Sequence, residues 1–161
     1  MRRWSKVLLA IALLLVCIQL VPVSRDNPPV TAAITAPVAV QEVLETSCYD
    51  CHSNLTRWPW YSRVAPVSWL IRHDVSEGRD QLNFSEWADY SARRQNHKLE
   101  ELEDMIRDKK MPLKKYLPLH PEARLTAAEE ETLIEWSRAE RAVLEAESGP
   151  FDRRGGPPPA E

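Results

Sequence analysis

Glycine is scarce in this chain, with four among 161 residues, and cysteine is scarcer, with three. Three cysteines cannot make a disulfide framework. No stretch sustains strand alternation, and no hairpin turn such as Asn-Gly appears, so nothing signals a sheet. A strong basic balance is missing too. The net charge of −3 excludes a nucleic-acid-binding surface, which would be strongly cationic. The first 24 residues lack acids altogether and hold Arg2, Arg3 and Lys6; setting these aside leaves 18 basic against 24 acidic residues.

What is present is 43% hydrophobic and 28% charged, an ordinary globular balance. The length suits one domain with appendages. The thirteen prolines fall largely before residue 40 and after 149, marking extended segments around a compact middle. Val7 to Val21 is apolar except for Gln19. Such a run behind a basic start suits a secretory signal, and it is short for a crossing of about 20 residues unless Pro22 and Val23 are included. Small residues at the usual cleavage spacing are missing after it. The expectation is an uncleaved signal-anchor over 1–23, single-pass, with the domain outside the cytoplasmic membrane. The alternative is a cleaved leader and a soluble periplasmic domain. Cys17 reads as a buried apolar cysteine, because Val16 before it is too bulky for lipoprotein processing. Residues 24–37, with Pro28, Pro29 and Pro37, read as a tether. The domain is expected over 38–146 and a disordered tail over 147–161.

Two of the cysteines lie in Cys48-Tyr49-Asp50-Cys51-His52. This C-x-x-C-H pattern is that of covalent c-type haem attachment. Cys48 and Cys51 supply the thioethers and His52 the proximal iron ligand. On a helix, residues three and four apart share a face, so all three address one haem edge. A Cys48–Cys51 disulfide would leave His52 without a role. Zinc wants four ligands, commonly in two separated pairs, and a thioredoxin-type dithiol wants a βαβ setting; both are missing.

Helical spacing recurs through the domain. Val40, Val43, Leu44, Cys48 and Cys51 place the motif at the end of a first helix. Pro66 suits the first turn of a second, with Val67, Leu70, Ile71 and Val75 as its stripe and Gly78 as its C-cap. Ser85 can cap a short helix through Tyr90, and another runs from about Asn96 to Lys109 with Leu99, Leu102 and Ile106 inward. Thr126-Ala127-Ala128-Glu129 is a capping box that opens the last helix. The fold class is all-α. Trp58, Trp60 and Trp69 are candidate walls for a flat apolar cofactor. Met111, in a loop held by Pro112, is the leading distal iron ligand. His120 is the alternative, followed by His73 and His97, whereas Met105 reads as core.

Several stretches together resemble the bacterial haem-binding domain family. They are Ser47 to Asn54, Trp58-Pro59-Trp60-Tyr61, Ala65-Pro66-Val67-Ser68-Trp69, Glu77-Gly78-Arg79, Leu82 to Trp87, and Met111-Pro112-Leu113. The resemblance covers roughly residues 27–140. It implies one covalent haem c, a cytochrome c-like helical fold and export beyond the cytoplasmic membrane, where c-type maturation machinery would attach the haem. Lys109-Lys110 depart from the Gly-Glu expected before Met111. Three functional classes follow: a closed-site electron carrier, a peroxidase-type haem enzyme with an open sixth position, and a haem sensor or complex subunit. The carrier leads, because no distal acid–base constellation is visible. Lys109, Lys110, Lys114 and Lys115 crowd near Met111 and could steer an acidic redox partner.

Overall fold

The computed structural model describes residues 2–149 and 151, and every regular element among them is helical. Helix α1 spans Arg2–Gln19. It is exposed all round, with Leu8, Leu9, Leu13 and Val16 facing solvent, so it buries no stripe against the domain. Cys17 is exposed with it rather than buried. The expected crossing is not met. Arg2, Arg3 and Lys6 occupy its first turns, and no helix among the described residues is long and apolar enough to cross a membrane. At 18 residues, α1 rises only about 27 Å including its charged end.

The supposed tether is part of the domain. Prolines keep residues 24–37 extended, which leaves their backbone groups free to pair sideways. The N–H groups of Thr31 and Ala32 donate to Ser85 O (3.3 and 3.0 Å), and Ile34 N–H donates to Phe84 O (2.9 Å). Ile34 is buried. The Arg79 guanidinium fastens the upstream half. Its Nη1 donates to Asp26 O (3.0 Å), its Nη2 to Asn27 Oδ1 and Thr56 Oγ1 (both 2.9 Å), and its Nε to Ser53 O (2.8 Å).

Helix α2 spans Val38–Ser47 and stops at Cys48; a single turn, α3, follows over Tyr49–His52. The attachment motif therefore straddles a break instead of ending one continuous helix. Cys48 O bridges the break by accepting from Cys51 N–H (3.1 Å) and His52 N–H (2.9 Å). A 3-10 turn over Trp60–Arg63 leads to α4, Val67–Gln81. Gly78 lies inside α4 and does not end it. A 3-10 segment follows over Phe84–Asp89, and its N-cap is Asn83, whose side chain accepts from Ser85 N–H, whereas Ser85 Oγ accepts from Asn54 N–H (2.9 Å).

Helices α5, Ala92–Arg107, and α6, Ala127–Ser148, pack against each other. Thr126 forms the expected capping box with Glu129. The core joins Leu44 and Val40 from α2, Tyr49, Phe84, Leu99, Leu133 and Trp136. Leu44 and Leu133 are wholly buried, and truncating either to Ala would cost about 2–5 kcal/mol. The tail expectation is corrected in part. Glu147 and Ser148 are helical and Phe151 packs against the core; residues 150 and 152–161 lie outside the described residues.

The end of α5 places the methionine loop. Lys110 N–H donates to Met105 O (2.9 Å) and Lys109 N–H to Ile106 O (3.0 Å), the paired bonds of a Schellman cap. The cap needs a left-handed residue, and Lys109 supplies it with φ 54°. A side chain there costs about 1–2 kcal/mol, which explains why glycine is the expected residue. Lys109→Gly should therefore raise stability by about 1 kcal/mol, read as a melting temperature higher by about 3 °C. The exposed Lys109–Glu130 pair lost with it contributes little. An unchanged or lowered melting temperature would refute the strain.

Candidate functional site

One apolar cavity of about 440 Å³ opens beside the attachment turn. Cys48, Cys51 and His52 form one wall, and α4 forms a second through Val67, Leu70, Ile71, Val75 and Gly78. Leu102, Met105 and Ile106 of α5, the loop residues Met111, Pro112, Leu113 and Tyr116, and Leu133 of α6 close it. Asp50, Arg57, Asp74, Glu77 and Lys115 supply its polar edge.

His52 is aimed by backbone carbonyls. Its Nδ1 lies 2.9 Å from Gly78 O and 3.1 Å from Leu82 O. A carbonyl only accepts, so Nδ1 carries the proton and Nε2 keeps a free lone pair for iron. Burial pushes the imidazole below its ordinary value of 6.5, opposed by those two carbonyl bonds. Neither cysteine is in a disulfide. Burial, then the neighbouring Cys51, pushes the Cys48 thiol up to about 12. Burial, then Asp50 and Asp74, pushes Cys51 up to about 11. With no metal beside them, both are neutral thiols at physiological pH. Among the described residues no three His, Cys, Asp or Glu side chains are placed to share a metal ion, so zinc gains no geometric support.

Gly78 sets how closely α4 meets this turn. A Cβ there would stand 2.5 Å from Cys51 O and 3.1 Å from Cys51 Cβ. Backbone cannot yield as a flexible side chain does.

Met111 reaches the cavity as expected, and Met105 reaches it as well. The two are tied together, since Met111 N–H donates to Met105 O (3.2 Å). His120 does not line the cavity. Its Nε2 accepts from the Tyr61 hydroxyl, and its Nδ1 lies 3.1 Å from Glu122 Oε1. Both ring nitrogens are thereby occupied, which removes it as the alternative ligand. His73 and His97 are exposed and away from the cavity.

The tryptophan wall is a correction. None of Trp58, Trp60 and Trp69 lines the cavity. Trp58 donates its Nε1 to Asn27 Oδ1 on the extended segment (3.1 Å). Trp60 is 77% exposed because its neighbour Tyr61 takes the inward direction. Trp69 falls between Val67 and Leu70 and off the inward face of α4. The aromatic cavity residues that sequence reasoning missed are Tyr61, Phe84 and Tyr116. Tyr116 donates to Asp50 Oδ2 (2.9 Å), and Asp50 also accepts from Arg57 Nε and Nη2 (both 3.1 Å). Burial first, then Asp50, raises the Tyr116 phenol. No local pattern flags a tyrosine in this loop. Tyr61 lies inside the Trp60–Arg63 turn, and only the folded turn reveals its direction.

The lysine cluster is partly neutralised. Lys109 pairs with Glu130, Lys110 with Asp108 at 2.7 Å, and Lys115 with Asp74 at 2.9 Å. Lys114 is exposed.

Two consequences are measurable. An ordinary mid-helix Gly→Ala change gains about 1 kcal/mol of helix propensity, but Gly78→Ala should lose about 1–3 kcal/mol because α4 must move off Cys51. A stability gain in a urea titration would contradict the close approach. The second concerns pH. The folded His52 ring resists protonation while the unfolded ring accepts it near 6.5. Its contribution is therefore complete above about 6.5 and is lost as pH falls below that value. In the haem-free chain, His52→Gln should flatten part of the stability loss between about pH 7 and 5. Identical slopes in the two proteins would show that the ring is not desolvated.

A profile of the haem-binding domain family matches residues 13–139, most of the chain. Comparison with curated proteins and with solved structures returns no match.

Proposed function

The chain belongs to the haem-binding domain family, and from that premise we propose that it is a monohaem c-type electron-transfer protein working outside the cytoplasmic membrane. The supporting observation is the convergence of Cys48, Cys51, His52 and Met111 on one apolar cavity. Its neutral thiols and outward-held imidazole nitrogen fit a covalently bound haem. When bound, the haem supplies reversible one-electron chemistry at iron.

The residues divide the work. Cys48 and Cys51 would hold the haem, each through a thioether. His52 would hold the iron, and the Gly78 and Leu82 carbonyls orient its ring and raise its basicity. Met111, on the cavity wall, would be the second residue to hold the iron, where a thioether would favour the reduced state. The apolar cavity walls would exclude water from a bound haem. The basic start and apolar helix α1 support an export leader, which suits attachment by c-type maturation machinery. Lys114 and its paired neighbours mark the edge where an acidic redox partner would dock, with salt-sensitive association.

Expression of the chain with c-type maturation machinery tests this. Haem should remain attached after denaturation, and Cys48→Ala with Cys51→Ala should abolish attachment. Met111→Ala should remove the red sulfur-to-iron band of the oxidised protein, while Met105→Ala should keep it. Haem that washes out of the denatured wild type would overturn the assignment, and a red band lost only in Met105→Ala would move the ligand.

A further inference from the structure

A second, smaller cavity of about 120 Å³ lies at the foot of helix α1 and shares no lining residue with the first. Gln19, Val21, Val23, Arg25, Arg63 and Ser68 are among its walls. The Gln19 carboxamide pairs with both backbone groups of Ala65. Its Nε2 donates to Ala65 O (3.1 Å) and its Oε1 accepts from Ala65 N–H (2.9 Å). That clamp seats the end of α1 on the loop before α4.

The cavity is cationic. Arg25 is half-buried, with Nη1 donating to Ser62 O (3.3 Å), and Arg63 ends the Trp60–Arg63 turn. Neither guanidinium meets a carboxylate among the described residues, whereas those of Arg57, Arg107, Arg138 and Arg141 all do. Asp26, next to Arg25, accepts from the Ser24 hydroxyl (2.5 Å) and does not line the cavity. Ser68 is only 4% exposed, yet its hydroxyl makes no hydrogen bond among the described residues. A buried hydroxyl ordinarily has a partner; this one borders the cavity instead. Two guanidiniums without carboxylates and an unused hydroxyl form a donor set for phosphate oxygens.

The surroundings point to the source of that phosphate. Helix α1 buries no stripe, and exposed apolar surface continues from it through Leu20 to Val21 at the cavity. Trp60 and Val64, both exposed, stand before and after Arg63 in the chain. Indoles sit at the headgroup level of a lipid surface, and arginines there meet anionic headgroups. A free phosphate would need no apolar neighbours. Contact with one lipid face covers these residues without requiring α1 to cross.

We propose that Arg25, Arg63 and Ser68 bind the phosphate of an anionic phospholipid headgroup and so seat the domain on a lipid surface, with Trp60 and the end of α1 against the lipid. The site uses no residue of the haem cavity and stands whether or not haem is held there.

The test uses the full-length chain in an uncharged detergent. Its melting temperature is followed as dihexanoylphosphatidylglycerol, dihexanoylphosphatidylcholine or inorganic phosphate is added. Phosphatidylglycerol should raise it most, because a ligand that binds only the folded state stabilises that state. Affinity for this lipid should fall about fivefold in Arg63→Gln and about 25-fold when Arg25→Gln is added. Arg63→Lys should keep most of it. Ser68→Ala should weaken binding about fivefold while leaving the lipid-free melting temperature unchanged, since the hydroxyl has no bond to lose. Trp60→Ser should weaken flotation with vesicles that contain phosphatidylglycerol. Unchanged affinity in Arg63→Gln, an exposed position, overturns the site, as does equal stabilisation by phosphatidylcholine. Inorganic phosphate that matches the lipid overturns the lipid source, and unchanged flotation of Trp60→Ser overturns the seating of this face.

Discussion

The site depends on the contact between α4 and the attachment turn. Gly78 lies so close to Cys51 that a single Cβ would stand 2.5 Å from its carbonyl oxygen. The same glycine presents its own carbonyl to His52 Nδ1 at 2.9 Å. One residue therefore sets both the separation of the two elements and the tautomer of the imidazole. A short turn such as Tyr49–His52 has too few internal hydrogen bonds to be rigid alone, and the packed helix beside it supplies the rigidity.

Around this contact, polar groups do much of the fastening. Arg79, one residue beyond Gly78, binds the attachment loop at Ser53 and Thr56 and the extended segment at Asp26 and Asn27. Asn54 and Asn83 pair at 2.9 Å in the interior, joining the loop after the haem motif to the segment after α4. Every such bond replaces one lost to water, so the network specifies geometry more than it adds stability. A domain built around a cavity has a thin apolar core, and hydrogen-bonded loops hold the wall where side chains cannot meet across the void. The same logic applies on the far side, where Tyr116 reaches Asp50 and Tyr61 reaches His120. Both bonds pin the loop that carries Met111.

Much of the helical framework was legible in the residues. The Val67, Leu70, Ile71 and Val75 stripe does face the cavity, and the Thr126 capping box opens α6 as its pattern requires. The break at Cys48, the placement of Gly78 inside α4 and the docking of residues 24–37 were not legible. Proline content predicts an extended backbone correctly, but it does not say whether that backbone meets water or a partner. The partners here are the carbonyls of Phe84 and Ser85, fifty or more residues downstream. Aromatic direction was equally opaque. Trp60 and Tyr61 are adjacent, and composition alone favours the larger ring for the cavity, yet the turn sends it outward.

By itself the sequence determined the local chemistry: the paired cysteines with their histidine, the helix starts, the methionine before Pro112 and the lysine where a left-handed residue is needed. These depend on spacings of a few residues, which covalent geometry and the helix period set. Only the tertiary structure decided which methionines reach the cavity, which aromatics line it, and that Tyr61 hydrogen-bonds His120, 59 residues away. Contacts at that separation depend on how helices pack and loops close, and no local periodicity carries that information.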